Sequence, residues 1–127
     1  MARRAFTLIE LMVVVVIIGL LLGIALPKYQ EGKRRTYLAG MKSDLHNLQS
    51  VQATYVSSGA PYSADTTALG FRTTRGNVLS ITEATGTGWL ARVTHPGVPG
   101  TECVVYVGTV GAATAPATTE SQITCTP

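Results

Sequence analysis

Charge is the scarcest commodity in this sequence. Aspartate, glutamate, lysine and arginine together make up 13% of its 127 residues, well below the usual quarter, and Leu11 to Leu26 contains no ionisable side chain at all. Other shortages narrow the chemistry. His46 and His95 show no ligand-type spacing with the cysteines, which argues against a zinc site. No phosphate-binding glycine loop of the required form is present, nor a carboxylate pair with supporting context. The expectation is therefore no enzyme and no cofactor. Asn-x-Ser/Thr is missing too, so N-linked glycosylation has no signal, and O-linked positions are not readable.

What is present is unevenly distributed. The apolar run explains the missing charge, and six of the ten basic residues, Arg3, Arg4, Lys28, Lys33, Arg34 and Arg35, flank it. Their natural neighbours are lipid headgroups. Loss of a leader carrying Arg3 and Arg4 takes the formal charge from +3 to +1. The whole-chain charge thus gives no support to a DNA partner, and Arg72, Arg75 and Arg92 are too dispersed to define a binding groove. The two cysteines, Cys103 and Cys125, lie 22 positions apart. In an exported chain they favour one disulfide over two buried thiols, worth about 3 kcal/mol through restriction of the unfolded chain.

Phe6 to Leu26, FTLIELMVVVVIIGLLLGIAL, is too long for a strand; as a helix it reaches roughly 30 Å, the thickness of a bilayer core. Three readings compete for it. A conventional signal peptide would use Arg3 and Arg4 as its basic region and Gly23-Ile24-Ala25 for cleavage; Glu10 and the resumption of helical pattern after Pro27 speak against this. A plain single-pass anchor leaves the excess of cations beyond the apolar run unexplained. In the third reading a short basic leader, Met1 to Ala5, runs without a spacer into Phe6-Thr7-Leu8-Ile9-Glu10.

That third arrangement resembles the processing site of type IV prepilins, and Glu10, the unbroken apolar run, Pro27 and Lys28-Tyr29-Gln30 all fall where that family carries similar residues. The resemblance implies that a prepilin peptidase cuts between Ala5 and Phe6 and methylates the new amine. Ala5 stands where the family usually has glycine, which implies slower processing. It further implies a subunit held in the inner membrane before export, then passed by pilus assembly machinery into an extracellular filament of identical subunits. There Glu10 would face the Phe6 amine of a neighbour. Such a pair sets register more than it adds stability, because desolvation offsets much of the attraction. Gly19 and Gly23 offer small contact sites at i, i+4 spacing, and Pro27 can break or kink the helix. Local melting between Gly19 and Pro27 on assembly is the corresponding expectation.

Beyond Pro27 the stripe Leu38, Met41, Leu45 and Leu48, extended to Tyr55 and interrupted by Gln52, predicts a helix packed on the chain's own sheet. Lys33, Arg34, Arg35, Lys42 and Asp44 are expected to point elsewhere. Ser57-Ser58-Gly59-Ala60-Pro61 should end the helix. Asn77 to Thr82, Trp89 to Thr94, Cys103 to Val110 and Ile123 to Thr126 read as strands, and Gly111 to Thr119 as a mobile surface loop.

The expected fold is α+β, a long N-terminal helix whose C-terminal half packs on a small antiparallel sheet, as in the pilin lollipop. Its parts are a leader at 1–5, a helix at 6–57 with its membrane and assembly segment at 6–26, and a head at 58–127. By resemblance, Cys103 to Cys125 bounds a C-terminal disulfide loop. That loop favours a pilus subunit over a type II secretion pseudopilin; a membrane-tethered or secreted binding domain is the remaining alternative.

Overall fold

The computed structural model describes residues 5–127; Arg3 and Arg4, and all of the expected leader except Ala5, lie outside the described residues. Among the described residues, one helix and a four-stranded antiparallel sheet make up the regular structure, an α+β fold. Helix α1 is Leu8–Ser57, and strands β1 Val78–Ala84, β2 Gly88–Thr94, β3 Glu102–Gly108 and β4 Thr124–Cys125 pair in the order β1-β2-β3-β4. By contacts the chain forms two compact units, Met1–Arg34 and Arg35–Pro127.

Helix α1 starts two residues later than the apolar run, because Thr7 caps it. Pro27 lies inside the helix and does not end it. The helix stops where expected: Gly59 takes a positive φ of 92°, and its N–H donates to the Val56 carbonyl at 2.9 Å. A Cβ-bearing residue pays for that conformation, which is why glycine follows so many helix ends.

In the second unit, Met41, Leu45 and Leu48 are fully buried against Trp89, Ala91, Val93, Cys103 and Val105. The period-2 alternation of β2 and β3 sends these strand residues to the helix side. The intervening positions, Leu90 and Val104, face away and form a second cluster with Ala117. Both faces of the central strands are therefore covered, one by α1 and the other by the chain between β3 and β4. Consequently β2 is buried over most of its length and lacks the polar alternation of a half-solvated strand.

Two side chains on the helix stripe behave differently from their sequence reading. Gln52, read as a polar interruption, is wholly buried; its Nε2 donates to Ser63 O at 2.6 Å and its Oε1 accepts from Ser63 N at 3.1 Å. Asp44, expected to point away with the other charges, is 3% exposed. It accepts from Thr74 N (2.9 Å), Thr74 Oγ1 (2.7 Å) and Asn77 Nδ2 (2.7 Å). Both residues replace water with a complete set of partners, which is what permits burial. They tie the post-helix loop to α1.

The segment between β3 and β4 also departs from the mobile loop expected at Gly111 to Thr119. Glu83 of β1 accepts from Gly111 N at 2.9 Å and Ala112 N at 2.8 Å. Arg92 of β2 donates to the carbonyls of Ala113 and Ala115 while pairing with Glu102 at 2.9 Å. Gly108 N donates to Glu120 Oε1, and Gln49 Nε2 reaches Ser121 O. A strap fixed at so many points holds Ala117 over Leu90 and Val104. It ends at β4, where Cys125 stands opposite Cys103 and is joined to it by a disulfide.

Strand limits shift by at most two residues from expectation, with a bulge between Ile81 and Glu83. His95 stacks on Tyr37 with ring centroids 4.1 Å apart.

Asp44→Ala should leave the Thr74 and Asn77 donors unpartnered at a cost of roughly 2 kcal/mol, lowering the head's thermal midpoint by about 10 °C. Fluorescence of the buried Trp89 reads the transition. The Gly111 and Ala112 amides hold the Glu83 carboxyl below its ordinary value. Its contribution is therefore present above the unfolded glutamate pKa and is lost as pH falls through the lowered folded value. Amide exchange at Gly111 and Ala112 should accelerate over that acid range, and Glu83→Gln should abolish the pH-dependent step.

Candidate processing and assembly site

The first turn of α1 is a capping box. Thr7 is the N-cap and Glu10 stands three residues on; Glu10 Oε2 accepts from Thr7 N at 2.9 Å and Thr7 Oγ1 at 2.7 Å, while Glu10 N donates to Thr7 Oγ1 at 3.3 Å. The Thr7 carbonyl accepts the first helical bond from Leu11 N. This reciprocal pattern satisfies donors that a helix N-terminus otherwise leaves open. It is legible as T-x-x-E ahead of an apolar run, a local role for Glu10 beside the intermolecular one that the resemblance implies. Both accepted bonds fall on Oε2, and Oε1 has no hydrogen bond among the described residues. One carboxylate can cap its own helix through Oε2 and still receive a cation at Oε1.

Phe6 and Glu10 lie together, lining a shallow open hollow with Ile9, Val13 and Val14. Ala5 and Phe6 precede the helix in irregular backbone and are exposed, Phe6 to 83%. From there to Leu26 every large apolar side chain stands outside the chain's own core, with exposures from 45% for Val14 to 76% for Leu8. One such helix is long and apolar enough to cross a membrane.

Gly19, Gly23 and Pro27 share one side of α1, and Glu10 lies about 180° around the axis from Gly19 at 100° per residue. A Cβ at Gly19 or Gly23 would meet nothing within 4 Å, so neither glycine is demanded by packing within the chain. Pro27 lacks the N–H that would bond the Gly23 carbonyl four residues back. This pairs a missing donor with a flexible residue at one point of the helix. At the other end of the chain, Cys103 and Cys125 close the strap and take no part in this site.

Comparison with known proteins adds a family to this geometry. Residues 1–26 match the prokaryotic N-terminal methylation motif. The chain is 40% identical over 75 residues to the type IV major pilin protein PilA of Myxococcus xanthus, covering 59% of this chain and 34% of that protein. It is 41% identical over 58 residues to a fimbrial protein of Pseudomonas aeruginosa, covering 46% and 38%. Its longest of these matches is to the type IV major fimbrial protein FimA of Dichelobacter nodosus, 33% identical over 98 residues, covering 77% and 59%. The chain thus spans about a third to three fifths of these relatives.

Thr7→Val should remove the cap hydroxyl at a cost of about 1 kcal/mol to the first turn. Amide exchange at Leu8 to Glu10 in detergent micelles should speed up roughly fivefold, with Trp89 emission unchanged.

Proposed function

We propose that this chain, which is similar to type IV pilins over the matched segments, is a structural subunit of an extracellular type IV pilus filament. The observation that carries this reading is an apolar helix segment from Phe6 to Leu26 whose large side chains stand exposed among the described residues. Burying each such side chain is worth about 1.5–3 kcal/mol, so the segment requires lipid or other helices around it. Before assembly the bilayer of the inner membrane supplies that environment; afterwards the equivalent helices of identical subunits do.

In this reading a prepilin peptidase cuts between Ala5 and Phe6 and the new amine is methylated. The amine of each incoming subunit then meets the Glu10 carboxylate of a neighbour already in place. Oε1, which takes no hydrogen bond among the described residues, supports the pairing, since the cap need not be surrendered. A buried pair of this kind is a register device: a mispaired subunit leaves both charges unsatisfied in an apolar surround. Gly19 and Gly23 allow close approach of neighbouring helices, and the Gly23 to Pro27 weak point lets the helix open if packing demands it. Pilus assembly machinery lifts the subunit from the membrane. The head then forms the outer surface, where the disulfide-closed strap gives it a fixed shape.

Sheared surface filaments should yield a mature chain beginning at Phe6 and carrying one extra methyl group by mass. Glu10→Ala should insert into membranes as the parent does and yield few filaments. Normal filament yield would remove the pairing role, and absence of the chain from sheared filaments would favour a type II secretion pseudopilin.

A further inference from the structure

Where α1 leaves the apolar run it carries Lys28, Tyr29, Lys33 and Arg34, all exposed. From Leu8 to Leu26 the helix rises roughly 28 Å, close to the hydrocarbon thickness of about 30 Å. These residues therefore follow directly on the membrane-spanning length. At 100° per residue, Lys33 and Arg34 lie about 140° and 240° around the axis from Lys28, so the three cations surround the helix. They occupy about 9 Å of its length, near the depth of one headgroup layer. The Lys33 ammonium sits 4.8 Å from the centre of the Tyr29 ring, a cation–aromatic pair of the amphipathic kind found at membrane surfaces.

We propose that Lys28, Lys33 and Arg34, with Tyr29, form a collar that binds the headgroups of anionic phospholipids in the leaflet beyond the apolar span. The inference rests on membrane residence of the unassembled subunit. The distribution selects lipid over protein. A protein partner approaches a helix from one side and calls for a one-sided stripe, whereas a headgroup layer surrounds the helix and calls for charge on all sides. The flexible stems of lysine and arginine let the cations reach phosphate from slightly different depths. The collar also accounts for cations that the usual preference for basic residues on the cytoplasmic side leaves unexplained. Held in this way, the subunit keeps a fixed depth, with Glu10 near the opposite boundary.

The test uses the full chain in vesicles of phosphatidylcholine with or without phosphatidylglycerol. Membrane residence is read first, as flotation with neutral vesicles; failure there removes the reading on which the collar rests. Lipid retained by the protein on transfer to detergent is then counted by native mass spectrometry. At equal mole fractions phosphatidylglycerol should exceed phosphatidylcholine by at least about fivefold, and the excess should shrink at high salt. The variant K28Q/K33Q/R34Q should still float but lose the preference, while R3Q/R4Q should retain most of it. Equal retention of both lipids, or an undiminished preference in the triple variant, would overturn the proposal.

Discussion

The constraint on which everything else depends is the division of a single helix between two surroundings. From Leu11 to Leu26 its residues are apolar on all sides and exposed among the described residues; from Met41 onward only a stripe is apolar, and the sheet covers it. A helix apolar all round must be surrounded, whereas an amphipathic one needs only to be backed. The two compact units follow from that difference in pattern. Each solves its own burial problem, the second internally and the first by recruiting something else.

The head compensates for its small size by covering both faces of its sheet. A domain of this scale buries a limited fraction of its surface. The outer face of β2 and β3 would be left wet if the chain between β3 and β4 were loose. Instead a carboxylate and a guanidinium grip the strap through backbone groups of opposite polarity: Glu83 receives two N–H groups, and Arg92 gives to two carbonyls. Side-chain charge is thereby spent on backbone that has no strand partner. The disulfide fixes the end of the strap at β4, a strand of only two residues.

Glu10 carries two demands in a small space. Its capping bonds with Thr7 stabilise the helix start, and the same carboxylate remains able to accept a cation. Read as a lone charge in an apolar run, it required an external partner. The local geometry supplies part of the compensation from within the chain, which explains how a carboxylate is tolerated at the start of an apolar run.

Periodicity and composition by themselves determined the long helix, its apolar first part, the Met41-Leu45-Leu48 stripe, the stop at Gly59 and the existence of the later strands, because these follow from near-neighbour spacing and local backbone preference. The T-x-x-E cap belongs in the same class, being wholly local. Only the tertiary structure decided the fates of Asp44, Gln52, Glu83 and Arg92. Polar side chains default to solvent in any one-dimensional reading, and whether one is instead held by partners depends on groups brought near from 11 to 33 residues away. Helical phase placed Asp44 beside the stripe, but nothing in the order of residues announced that Thr74 and Asn77 would meet it there.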